Sequence, residues 1–345
     1  MNEELKLDFG ALEDAGGSQR HGFAKDTSTQ ALSAGHVKRD ELISTMLQER
    51  NVLRVITAPH GFGKTELARE YAQRLFRAGV VNWVDASSPD FLLSLDGNDN
   101  AILRRGTPAS LVVLDDVPWL HEQRANTLSR HIEAALYVGI EVVMTTTPTC
   151  DSLSALQSDC LCIHAADLLV SEQECAPRQV TEQDGGSRAF GKKRWVDAGK
   201  LLFGHAPAVI WGESTTAQRQ CLKELFSEKL PLELVRGMFA MLLFKRGTMH
   251  DLGGVGITLR NEDLSLLVRD YPIFGIDTVS GAFGVAGFEL ADLRWAILAN
   301  KLEPVVLEGS HALSERVLGA LFRRGDLRRG SAVIDAFCND DRCAA

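Results

Sequence analysis

An α/β fold, a parallel sheet with helices on both faces, is predicted by three features of this chain. Val52 to Thr57 is a largely apolar, β-branched strand that runs into a glycine-bearing turn and then a helix. Leu111-Val112-Val113-Leu114 is the uninterrupted apolar run that a strand buried on both faces requires, and it stops abruptly at Asp115-Asp116. Around these two, strand-like and helix-like segments alternate in the β-α-β rhythm of a parallel sheet.

The elements follow in order. Residues 1–35 carry Gly, Ser, Ala and charge without periodicity and are expected to be mobile. Val37-Lys38-Arg39-Asp40-Glu41-Leu42 begins an amphipathic helix that leads into the first strand. After the turn, Glu66 to Ala72 is rich in helix formers, and Leu67, Tyr71 and Leu75 fall on one face. Val80 to Val84 reads as a strand, Asp90 to Leu95 as a helix, Leu111 to Asp116 as the acidic strand, and Gln123 to Leu136 as a helix. Glu141 to Thr146 is the next strand, and Leu161 to His164 adds one more.

The character changes after Asp167. Ser171-Glu172-Gln173-Glu174 has the form of a capping box, Ala176 to Lys193 is rich in Pro, Gly and charge, and the pattern from Trp195 is mostly helical. Helices at Leu230 to Leu243 and Asn261 to Arg269, then alternation from Ile273 to Ala286 about Ser280-Gly281, predict a winged-helix module. Ser314 to Phe322 and Leu327 to Phe337, joined at Gly325-Asp326, predict a helical hairpin like one tetratricopeptide repeat. The expected organisation is a flexible 1–35, an α/β domain at 36–170, a helical lid at 171–225, a winged helix at 226–300 and the start of a helical region at 301–345.

The first turn carries chemistry. Gly61 and Gly63 have no Cβ, so the backbone can curl with several N–H groups aimed at phosphate oxygens. Lys64 supplies a positive charge for the outer phosphates, and the Thr65 hydroxyl can hold Mg²⁺ at a helix N-terminus that already favours anions. This is the arrangement of a P-loop NTPase, except that Ala58 stands where the usual pattern begins with Gly. On the acidic strand, Asp115 would reach Mg²⁺ through water and Asp116 would orient or deprotonate an attacking water. His60 projects from the turn, either onto a phosphate or an incoming partner or simply as a cover for the loop.

Composition narrows the setting. At 345 residues, 45% hydrophobic and 24% charged, the chain is that of an ordinary soluble protein with room for two or three cores. No apolar run approaches membrane-spanning length, and the acidic start lacks the pattern of a secretory signal, so a cytoplasmic protein without membrane contact is expected. A net charge of −9 gives no overall footprint for nucleic acid. The basic clusters Lys192-Lys193-Arg194 and Arg323-Arg324 with Arg328-Arg329 read as solvated faces. Seven cysteines are expected as reduced thiols, with Cys160 and Cys162 buried beside the sheet and not, with His164, Cys150 and Cys175, a metal site.

Together these motifs resemble the STAND-class signal-transduction ATPases, in particular the ATPase half of LuxR-type regulators like the maltose-regulon activator. The resemblance covers roughly residues 36–300. It rests on Val37 to Leu42, on Ala58-Pro59-His60-Gly61-Phe62-Gly63-Lys64-Thr65, similar to that family's A-P-x-G-[YF]-G-K-T, and on Val81 to Val84, Leu114-Asp115-Asp116, Met144-Thr145-Thr146 and Ala166-Asp167-Leu168 in the same order. Gly204 to Ala208 resembles the family's glycine-to-proline motif, which implies that Pro207 lies against adenine. The resemblance implies ATP or ADP with Mg²⁺, and nucleotide contacts from Val37, Arg39, Pro59, His60, Phe62, Glu66, Thr146 and Pro207 besides the loop glycines, Lys64 and Thr65. It also implies a switch that is closed with ADP and opens with ATP and a small-molecule or protein inducer, then self-associates. Thr147 stands where members often carry Arg, so turnover is expected to be weak. Met249-His250-Asp251 copies a nucleotide-contacting motif of plant-type relatives but precedes the wing, and is read as coincidence. Two other readings stay open: a replication-initiator-like AAA+ protein gripping DNA, disfavoured by the acidic Glu262, Asp263 and Asp277, and a nucleotide-holding scaffold that never hydrolyses.

Overall fold

The computed structural model describes residues 38–48, 52–75, 81–97, 102, 109–148, 159–169, 195–197, 208–210, 215–226, 229–285, 288, 290–291, 293–294 and 304–337. Val37, Pro207, Cys150, Cys175, the capping box at Ser171 and the cluster at Lys192 lie outside them.

Five strands, β1 (Leu53–Thr57), β2 (Val81–Asp85), β3 (Leu111–Val117), β4 (Glu141–Thr146) and β5 (Cys160–Ile163), form a parallel sheet in the order β2-β3-β4-β1-β5. Alternate strand residues feed two separate cores. Ile56, Leu111, Val113, Val143 and Ile163 pack with Ile43 and Met46 of α1 (Asp40–Gln48) and with Leu67, Ala68 and Tyr71 of α2 (Lys64–Leu75). Leu53, Val55, Val112, Leu114, Val142 and Met144 pack on the other face with Phe91 of α3 (Pro89–Ser94) and Leu128 and Ile132 of α4 (Glu122–Tyr137). This two-sided burial is why β3 reads as a continuous apolar run. Inside the first core Arg54 is 1% exposed, satisfied by Met46 O at 2.8 Å, Glu141 at 3.1 Å and the Tyr71 ring at 5.0 Å.

Strand order decides the site. Because β4 lies between β1 and β3, its C-terminal end separates the turn after β1 from the carboxylates of β3. At that end β3 bulges, its register on β4 shifting between Leu114 and Val117, and Asp116 adopts φ 60°. A bulge bends the strand and re-aims its side chains, and aspartate is among the few residues that enter this left-handed region readily.

Beyond the sheet come α5 (Thr215–Leu225), α6 (Leu232–Phe244), β8 (Arg246–Thr248), α7 (Met249–Gly254), α8 (Asn261–Asp270), β9 (Phe274–Ile276) and β10 (Ala282–Val285), then α9 (Pro304–Arg323) and α10 (Leu327–Phe337). β8, β10 and β9 form an antiparallel sheet in that order. Buried residues of α5, α6, α8 and α9 join the core of the first sheet face.

Several expectations are corrected. The mostly helical pattern expected from Trp195 is preceded by a short antiparallel pair, β6 (Trp195–Asp197) with β7 (Ala208–Ile210), and the helices begin at Thr215. Cys160 and Cys162 are exposed because β5 is an edge strand and they fall on its outer face. In the second basic cluster Arg323, Arg324 and Arg328 are exposed, while Arg329 is half-buried and donates to Leu243 O and Leu242 O, both at 2.8 Å; Arg324 also donates to Arg246 O at 2.9 Å. Met249 to Asp251 is the first turn of α7, where Asp251 and Thr248 cap the helix reciprocally.

Candidate functional site

The turn from β1 to α2 is held open by backbone angles. Gly61 and Gly63 sit at φ 86° and 82°, where a side chain is strained, and a Cβ on Gly63 would project into open space. Phe62 is 7% exposed and packs in the core, so it anchors the turn from behind. Lys64 begins α2 and is 7% exposed; its ammonium donates to Ala58 O at 2.7 Å and Pro59 O at 3.1 Å. Burial lowers its pKa, while Glu224, Asp116 and Asp115 act against that shift.

Next to it runs a chain of short polar contacts. Thr65 Oγ1 donates to Asp115 Oδ1 at 3.0 Å. Thr145 Oγ1 donates to the same oxygen at 2.7 Å and accepts the Asp116 N–H at 2.7 Å. The last bond gives the amide a partner where the bulge has removed the ladder, and it fixes the unusual backbone angle of Asp116. The cleft measures about 440 Å³ and is lined by residues of the turn and of α2 within the span His60 to Arg69, by Trp83, Asp85 and Ser87, and by Asp115, Asp116 and Thr145.

The arrangement suits oxyanions. A buried ammonium and the first turn of α2 both favour negative charge. Thr65 and Asp115 offer adjacent hard oxygens, the donor type Mg²⁺ takes when phosphates and water complete its shell. Among the described residues no group of three or more His, Cys, Asp or Glu side chains gathers to hold a metal alone. The residues therefore fit a magnesium ion brought with a phosphate ligand.

No protein-family profile matches the chain, and no curated protein matches it. Among solved structures it is similar to a STAND ATPase with a tetratricopeptide repeat sensor from Pyrococcus horikoshii, at 13% identity and a TM-score of 0.31, over 89% of this chain and 48% of that one. It is also similar to AMPPCP-bound DnaA from Aquifex aeolicus, at 12% identity and 0.29, over 91% and 89%. A DNA replication initiation factor matches at 17% identity and 0.26, over 36% and 44%. The chain spans less than half of the first and the last of these three. The chemistry rests on the cleft's own geometry.

The structure also sorts the predicted residues. Lys64, Thr65, Glu66, Asp115, Asp116, His60, Gly61 and Gly63 come together. Thr146 does not: it points to the opposite side of β4, is 1% exposed and donates to Val117 O at 2.9 Å. Arg39 does not either, because its guanidinium donates to Leu168 O at 2.7 Å, Asp167 O at 2.9 Å and Leu169 O at 3.0 Å. Pro59 offers its carbonyl to Lys64, and Phe62 packs in the core. Sequence reading missed Thr145, whose parity on β4 opposes that of Thr146, and Arg69, one turn beyond Thr65 with its guanidinium 5.7 Å from the Trp83 ring centroid.

Proposed function

We propose that this chain is an ATP- and ADP-binding regulatory switch with slow, Mg-dependent hydrolysis, the motor portion of a signal-responsive regulator. The observation that carries the reading is the continuous link from Thr65 through Asp115 and Thr145 to the Asp116 N–H, set beside a buried lysine in a glycine turn. Lys64 and the turn's amides bind the phosphates, and Thr65 with Asp115 would hold Mg²⁺, which when bound neutralises phosphate charge. Asp116, aimed into the cleft by the bulge, orients an attacking water and takes its proton. Catalysis of this kind is mostly positioning and charge stabilisation, so the shortage of free positive charge sets its speed. Arg69 is the arginine lining the cleft among the described residues, and it is paired with Glu66 and laid over Trp83. Slow turnover follows.

The helices after residue 231 with the β8-β10-β9 sheet are read as a winged helix used for packing, not for gripping DNA. At α8 and the residue before it the basic groups are neutralised locally, Arg269 by Asp270 at 2.7 Å and Arg260 by Asp263 at 3.3 Å. An inducer and nucleotide-dependent self-association belong to the same proposal, and no direct DNA contact does. The decisive experiment is calorimetry with ADP and ATP on the full chain and on Lys64→Ala. Loss of binding in the variant is expected, and tight retention of ATP by it would sink the assignment. Nucleotide released on denaturing the purified protein, ADP in particular, is a second expected outcome.

A further inference from the structure

Glu224 lies on α5, far along the chain from the turn, yet its carboxylate is bound to the turn itself. Oε2 accepts the His60 backbone N–H at 2.8 Å, and Oε1 stands 3.2 Å from His60 Nδ1. The side chain is only 12% exposed. A loop shaped to receive oxyanions on its amides is thus already engaged by one anion that the protein supplies. The same carboxylate acts with Asp116 and Asp115 against the burial that lowers the Lys64 pKa.

Position along the cleft gives this contact a direction. His60, whose backbone N–H holds Glu224, lines the cleft together with Asp116. Asp116 marks the end of the cleft where water attacks, and so where the phosphate chain ends. A carboxylate there repels the outermost phosphate more than the inner ones, because the repulsion between like charges falls with distance.

This step rests on the nucleotide reading above. We infer that Glu224 is a specificity-determining residue: an internal anion that competes with the outermost phosphate for the loop. A diphosphate is accommodated with α5 docked, and a triphosphate is accommodated only when the His60 N–H exchanges the carboxylate for phosphate and α5 is released. Identity of the nucleotide is thereby converted into the position of a helix.

The test uses the full chain, Mg²⁺, ADP and a non-hydrolysable ATP analogue in titration calorimetry. Wild type is expected to prefer the diphosphate by about tenfold, and Glu224→Gln, which keeps an acceptor oxygen but loses the charge, to narrow that preference to about threefold or less by tightening the triphosphate. An unchanged ratio in a folded Glu224→Gln overturns the inference and leaves the nucleotide reading standing. No binding of either nucleotide by either protein overturns both. A second measurement needs no variant: amide hydrogen exchange at Cys221 to Leu225 in the wild type is expected to be faster with the triphosphate analogue than with ADP, and equal protection overturns the inference.

Discussion

The Thr145 hydroxyl donates to Asp115 Oδ1 at 2.7 Å, while Thr146, one residue on, turns away to Val117 O. The two neighbours are chemically alike and separate cleanly by experiment. Thr145→Val keeps the shape but leaves a carboxylate oxygen and the Asp116 N–H each short of a partner, a cost of about 1–3 kcal/mol in a buried setting. ATP turnover is expected to fall with it, since Asp116 loses its tether. Thr146→Val should cost about 1 kcal/mol of stability and leave nucleotide affinity alone. Melting curves and titrations on both variants check the contrast, and equal loss of affinity would contradict the placement.

Asp116→Asn is the sharper probe of chemistry. Asparagine tolerates the φ of 60° and retains the N–H given to Thr145, so fold and nucleotide binding should survive. It cannot accept the proton, and single-turnover hydrolysis should drop by about a hundredfold or more. Unchanged hydrolysis would remove Asp116 from the chemistry, and none in either protein would favour the scaffold that only holds nucleotide.

Arg39 tests a structural role against a ligand role. Its guanidinium satisfies three carbonyls in residues 167–169, and its backbone N–H donates to Glu70 Oε2 at 3.1 Å. Arg39→Ala is expected to destabilise the fold by about 2–4 kcal/mol, because charge-assisted bonds to buried carbonyls are lost together. Below the lowered melting point, nucleotide affinity should stay within about threefold of wild type. A large affinity loss in the folded variant would restore Arg39 to the site.

What the sequence disclosed follows from how local each feature is. Gly61, Gly63, Lys64 and Thr65 act through one contiguous turn, and β3 announces itself by its apolar run, so these residues and the parallel sheet were legible. Thr145 needed the strand order and the bulge, since parity along β4 has meaning only once its neighbours are known. Arg39 carried a familiar motif, but a guanidinium beside a polar turn is claimed by whichever carbonyls fold back to it. Glu224 left no signal at all, because its partner lies in another element and nothing about a glutamate on an amphipathic helix marks long-range contact.

Arg329 gives a prediction outside the cleft. Its Nε and Nη2 reach Leu243 O and Leu242 O, the last carbonyls of α6, which have no partner within that helix. Arg329→Met keeps the aliphatic stem and removes the bonds, and should lower stability by about 1–3 kcal/mol. Arg328, exposed on the same helix, should tolerate the same change within about 0.5 kcal/mol. Equal effects in chemical denaturation would return both to the solvated surface that sequence alone suggested.

The last prediction concerns pH. The His60 pKa is raised above its ordinary 6.5, first by the hydrogen-bonding and charge of Glu224, against the lowering effects of burial and of Lys64, with Asp116 adding to the rise. The imidazolium gains its partners only in the folded state. Its contribution is therefore fully present below pH 6.5 and is lost as pH rises through the raised folded value. A proton titration of His60 followed by NMR should give a midpoint above 6.5 in wild type and a lower one in Glu224→Gln. Exchange protection at Cys221 to Leu225 should weaken across the wild-type midpoint, since the charge attraction between His60 and Glu224 is lost there. A midpoint that ignores Glu224→Gln would separate the imidazole from the helix and leave the backbone N–H as their sole link.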